Sequence, residues 1–175
     1  MIGAVVLAAG AATRFGAPKQ QLLVEEVLER LRRAPIDEIV VVSGAHDLSL
    51  CVSETQGTRV VHCAEWERGP GASLRCGLTA LSPETNAAVV VLADGPDLAP
   101  AAVARVIGAW QANGVDLVAA SYDGARGHPL LMARVAWADV PDDGLRQRQP
   151  RLVPCDDLGS PGDVDVLDDL PPRFR

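Results

Sequence analysis

Short apolar runs alternate with helix-patterned segments along this chain, and that order limits the folds open to it. Ile2–Leu7 is apolar throughout, as expected of a strand covered on both faces. Residues 21–34 (QLLVEEVLERLRRA) set Leu23, Val24, Val27, Leu28 and Leu31 on one helical face. Glu26 with Arg30 and Glu29 with Arg33 fall at i,i+4 on the other, and Pro35 stops the helix. Strand-like runs return at Glu38–Ser43, 58–63, 87–93, 116–121 and 129–132, and helices are predicted over 73–81 and 100–111. This alternation predicts an α/β layer fold with a mostly parallel sheet. Ligands of such sheets bind beyond the carboxyl ends of the strands, so chemistry is sought in the loops after Leu7, Ser43, Cys63 and Ala93.

A chain of 175 residues fits one domain spanning 1–175, and with 3% aromatics its core must be aliphatic. Lys and Arg number 16 against 23 Asp and Glu, a net charge of −7 that argues against nucleic-acid or anionic-membrane binding. A few local cations can still reverse that sign around a small anionic ligand. No apolar run approaches the ~20 residues of a membrane span, and no basic leader opens the chain, so a cytoplasmic protein is expected. Cys51, Cys63, Cys76 and Cys155 form no C-x-x-C pair; neither a zinc site nor a redox dithiol is indicated, and free thiols are expected.

Four stretches have the composition of a site. In "LAAGAATRFGAPKQ" (7–20), small residues and Gly10 and Gly16 leave main-chain N–H groups accessible. Arg14 can grip phosphate oxygens in a fork and Lys19 adds a point charge. It is neither a G-K-[ST] phosphate loop nor G-x-G-x-x-G. In "VLADGPDLAP" (91–100), Asp94 ends a buried strand, where an unpaired carboxylate is costly and a Mg²⁺ ligand is natural. Asp97 either shares that role or organises the turn before Pro100. In "GPGASLRCGL" (69–78), Ser73 either caps a helix or, with the glycines, presents donors to a base or phosphate. In "RGHPLLM" (126–132), His128 either contacts a substrate or is a hydrogen-bonded structural histidine. Asp163 and Asp165 in "DVDVLDDL" (163–170) either add a carboxylate to the metal or cap a short helix.

Together the loop L-A-A-G-x-x-x-R-x-G-x-P-K, the strand end L-A-D-x-P-D-L and the later G-H-P resemble the MobA-like NTP transferases, most closely the molybdenum-cofactor cytidylyltransferases. The resemblance runs from about Gly3 to Leu170. It implies a Rossmann-like three-layer α/β/α sandwich, and Arg14 and Lys19 on the triphosphate. The backbone of Leu7, Ala8, Ala9 and Gly10, with Gly71, Ser73 and Leu74, would cradle the base. Asp94, with Asp165, would hold Mg²⁺, and His128 and Asp97 would face the acceptor.

The implied reaction is attack by the phosphate of molybdopterin on the α-phosphorus of CTP, with release of pyrophosphate. A phosphate monoester is already ionised near neutral pH and needs no general base. Alignment and charge neutralisation would carry catalysis. GTP or another small phosphorylated acceptor is the alternative within the class. A non-catalytic nucleotide-binding accessory protein for a molybdoenzyme is the alternative outside it; a molybdoenzyme is also the expected recipient of the product. Two features depart from the family pattern. Gln20 runs straight into the next helix without a glycine-containing strand and turn, and the stretch after Asp143 is short. The terminal acids also lack the Thr-Pro that relatives carry there.

Overall fold

The computed structural model describes residues 1–11, 19–53 and 57–174. In chain order the elements are β1 (Ile2–Leu7), α1 (Lys19–Leu31), β2 (Glu38–Ser43), β3 (Thr58–His62), α2 (Pro70–Ala80), β4 (Ala87–Leu92), α3 (Pro100–Asn113), β5 (Leu117–Tyr122), β6 (Ala125–Ala133) and β7 (Arg151–Pro154). Among the described residues they form one seven-stranded sheet ordered β3-β2-β1-β4-β6-β5-β7. β1 pairs in parallel with β2 and β4, and β2 with β3. β6 is antiparallel to both β4 and β5, and β7 returns parallel to β5. One reversed strand thus stands in an otherwise parallel, Rossmann-like α/β sheet.

The side-chain alternation of the strands builds two aliphatic cores. Ala4, Val6, Ile39, Val41, Val89 and Val91 point to one face, where α1 brings Val24, Val27 and Leu28 and α3 brings Val103 and Val106. Val5, Val40, Val42, Ala88 and Val90 point to the other, under Leu74 and Leu78 of α2. α2 alone does not cover that face. Trp137, Val140 and Leu145, from the irregular stretch after β6, close the remainder. Each fully buried Leu or Val contributes about 1.5–3 kcal/mol.

A third, small cluster joins Leu23 of α1 to Val164 and Leu170, with Phe174 packed against it. The segment after β7 is thereby laid back across the start of α1. α2 begins at Pro70 and not at 73, with proline in its first turn where a missing N–H costs nothing. β7 was not foreseen, because Arg151–Pro154 is short, ends in proline and has mostly exposed side chains. It is an edge strand, where proline is tolerated. The expectation of four free thiols is corrected: Cys63, just past β3, is bonded to Cys76 on α2, while Cys51 and Cys155 are free. Their 13-residue separation shows no sequence signature, and the packing of α2 against β3 brings them together.

Candidate active site

The ends of β1 and β4 lie side by side and bring the first two motifs into one place. Ala93 N–H donates to Leu7 O (3.1 Å) and Ala8 N–H to Val42 O (3.0 Å), so the loop leaves the sheet at a fixed point. Gln20 Nε2 donates to Gly10 O (3.0 Å) and Ala45 N–H to Ala9 O (3.0 Å), so the loop's carbonyl oxygens are engaged by the protein itself. Gln20 Oε1 is buried beside that loop with no partner among the described residues. Arg14 lies outside the described residues.

Lys19 opens α1 and is 6% exposed. Its ammonium lies 2.9 Å from Asp94 Oδ2 and 3.6 Å from Asp165 Oδ1, and it donates to Val164 O. A buried lysine is tolerable only when paired in this way. The partners come from two places: the turn after β4, and the segment after β7, which is anchored there by Val164 N–H donating to Asp94 O (3.1 Å). Burial, with the nearby Asp94 and Asp165 carboxylates, pushes the Asp163 carboxyl up against the pull of Lys19. Asp97 is turned away from this cluster. Its Oδ1 accepts from Arg173 (2.7 Å) with Arg30 at 3.9 Å, and its N–H donates to Pro161 O (2.9 Å).

Carboxylate oxygens are the donors that Mg²⁺ prefers, so Asp94 and Asp165 fit that ion in kind. Among the described residues no group of three or more His, Cys, Asp or Glu side chains is arranged to hold a metal. A metal here must therefore take part of its shell from substrate and water, the usual habit of Mg²⁺ at nucleotide sites.

Next to the cluster is a chamber of about 490 Å³, lined by Leu7, Leu74, Val90, Leu92 and Leu130 and by the polar side chains of Arg126 and His128. His128 also borders a narrow cleft with Gly95, Pro161 and Gly162, so the imidazole is shared by the two cavities. Burial, reinforced by Arg126 and opposed by Asp94, pushes its pKa down to about 4. It is neutral at physiological pH and offers a hydrogen bond, not a charge.

The outer wall of the chamber is the turn over residues 139–148, and arginines pin it. Arg68 and Arg75 both bond Asp142, and Arg75 also donates to Val140 O (2.6 Å). Arg126 donates to Leu145 O (2.9 Å) and Arg148 O (3.0 Å), and Arg148 to Asp139 O (2.7 Å). Gly71 makes the close approach possible: its N–H donates to Asp142 O (3.0 Å), and a Cβ there would lie 1.7 Å from Pro141 O.

The structure thus brings Leu7, Ala8, Ala9, Gly10, Lys19, Asp94 and Asp165 to one end of the site. It sets Leu74 and His128 along the chamber, and Ser73 is buried in the first turn of α2. Gly71 has its amide on the wall turn, and Asp97 is bonded to Arg173. Sequence reasoning missed the Val164 carbonyl, because a main-chain acceptor has no residue signature. It also missed the pinning arginines, although Arg75 and Arg126 sit inside two of the four stretches.

The MobA-like NTP transferase domain matches residues 4–153. Rv0371c from Mycobacterium tuberculosis H37Rv is 30% identical over 96% of this chain and 94% of its own, with a TM-score of 0.80. The same protein in complex with manganese gives 27% identity over 96% and 95%, with a TM-score of 0.76. Mth528, a nucleotidyl transferase from Methanothermobacter, is similar in fold at 20% identity, over 97% of this chain and 94% of that one, TM-score 0.72. No curated protein matches the chain.

Proposed function

Since the chain belongs to the MobA-like NTP transferase family, and is thus a nucleotidyltransferase, we propose that it transfers CMP from CTP to the phosphate of molybdopterin with release of pyrophosphate. The observation that carries this reading is the meeting of Lys19 and Asp94 at the mouth of the Leu7–Gly10 loop, beside an apolar chamber with arginines on its wall. A triphosphate needs the first and a flat phosphorylated ring system the second.

In the reaction an oxygen of the acceptor phosphate forms a bond to the α-phosphorus, and the bond from that phosphorus to the α–β bridging oxygen breaks. The nucleophile is already anionic, so no residue has to remove its proton. Lys19 exchanges its carboxylate partners for phosphate oxygens, and Arg14 adds a guanidinium fork. The main chain of Leu7, Ala8, Ala9 and Gly10, with Ser73 and Leu74, walls the nucleotide. His128, neutral, hydrogen-bonds on the acceptor side, and Asp97 keeps the turn that carries Asp94 in place through Arg173. Asp94 and Asp165 would hold Mg²⁺, which neutralises charge on the triphosphate. The remaining work is alignment of two anions that repel each other in water.

A nucleoside triphosphate substrate supports a cytoplasmic location for the reaction, with a molybdoenzyme as the proposed recipient of the product. Among the described residues no helix is long and apolar enough to cross a membrane. The test is pyrophosphate release with each NTP and Mg²⁺, with and without molybdopterin. CTP with molybdopterin is expected to give the highest rate. Release with GTP or with another phosphorylated acceptor, and none with this pair, overturns the substrate assignment. Nucleotide binding without release from any acceptor would make the protein an accessory module.

A further inference from the structure

We propose that Arg146 is the anchor for the anionic group of the acceptor, and that Arg126 positions it; the assignment rests on the transferase reading and names the residue that selects a phosphorylated acceptor. It follows from comparing the arginines that surround the wall turn. Arg68, Arg75, Arg126 and Arg148 all have their guanidinium groups bonded to carboxylate or carbonyl oxygens of residues 139–148. Arg146 lies in the same turn, lines the chamber and has no partner among the described residues. Four guanidinium groups hold the turn, and one is left facing the cavity.

The surroundings favour an anion there. His128 carries no charge at neutral pH, and the carboxylate of Asp143, which also borders the chamber, accepts a hydrogen bond from Gln147 (3.2 Å). With Arg126 and Arg146 the lining is net positive in a chain whose net charge is −7. Such a local reversal of sign concentrates anions at one place on a molecule that repels them elsewhere. Arg126 bonds the carbonyls of Leu145 and Arg148, which flank Arg146, so its role is to fix the turn from which Arg146 reaches. The lining beside His128, formed by Val90, Leu92 and Leu130, suits the apolar face of a ring. The recognised chemistry is therefore a phosphate carried on a flat, largely apolar body.

Phenyl phosphate carries both features and needs no turnover to be read. Its binding is measured by calorimetry on the full chain with saturating CTP and Mg²⁺, so that the triphosphate side is filled. Wild-type protein is expected to bind phenyl phosphate and not phenol. Arg146→Gln should weaken binding about tenfold or more, the scale of a charge-assisted hydrogen bond, and Arg146→Lys should weaken it less. Arg146 is exposed, so these variants should keep the wild-type melting temperature. Equal affinity in wild type and Arg146→Gln overturns the proposal, as does a lack of binding to the wild type. Binding lost in Lys19→Ala and kept in Arg146→Gln would place the probe on the triphosphate side and overturn it too. Each of these failures leaves the transferase reading to be judged separately, by pyrophosphate release.

Discussion

The two ends of the site are held together by opposite means. At the Lys19 end, one buried ammonium gathers Asp94, Asp165 and the Val164 carbonyl from two distant parts of the chain. At the chamber end, several arginines grip the backbone of a single turn, and the cavity they enclose is apolar. The first arrangement is a charge cluster whose internal partners stand where, in the proposed reaction, substrate and metal would take over. The second is a rigid frame whose internal bonds have no reason to break. The proposed reaction, with a highly charged ligand on one side and a ring on the other, is served by this division, because only the charged side has to rearrange.

The largest expected effect lies at the charged end. Asp94→Asn should lower pyrophosphate release a hundred- to thousandfold, about 2.7–4 kcal/mol of transition-state stabilisation, while the melting temperature changes little. The asparagine keeps an oxygen for Lys19 and loses the charge. Full activity in this variant would remove Asp94 from the metal and collapse the contrast between the ends. Reducing the Cys63–Cys76 bond comes next. Closing a loop of this length contributes about 3 kcal/mol in the chain-entropy account, so urea unfolding with and without reductant should differ by that amount. No difference would mean that α2 is held over β3 by packing alone.

Gly71→Ala should cost about 1–3 kcal/mol, because its new Cβ meets the Pro141 carbonyl and the wall turn must retreat. Its kinetic signature should be a raised KM for the acceptor, with the KM for CTP nearly unchanged. The reverse pattern would show that the turn serves the nucleotide. Arg173→Ala is the smallest: the Arg173–Asp97 pair is exposed, so global stability should fall by less than about 1 kcal/mol. Hydrogen exchange at the Val164 amide, which bonds Asp94 O, should nevertheless speed up severalfold. Unchanged exchange would show that Leu23, Val164 and Leu170 secure the segment without help.

The contrast also explains what could be read from the sequence. The strands β1, β2 and β4 are unbroken apolar runs, and α1 has a clean helical stripe, so the layer architecture was legible. Asp94 stood out because a charge ending a buried run needs an explanation, and Lys19 because it is one of two cations in a loop of small residues. Asp165 was legible only as an acid among acids. Its place beside Lys19 depends on the packing of Val164 and Leu170 on Leu23, a contact across the length of the chain. The chamber wall was hidden for another reason. Residues 139–148 have neither period, and their shape is imposed by guanidinium groups that bond main-chain oxygens. Such bonds depend on where a carbonyl points, and no residue pattern records that.

The Lys19–Val164 contact spans 145 residues, and that separation sets a time as well as a distance. At about 5–20 residues per second, roughly 7–30 s of translation pass between the two. Once Leu92 has been made, β1, β2 and β4 can pair, while the ammonium of Lys19 still lacks its closing carbonyl. The Lys19 end is therefore the last part of the molecule to mature on the ribosome. A nascent chain can own a sheet well before it can own a site.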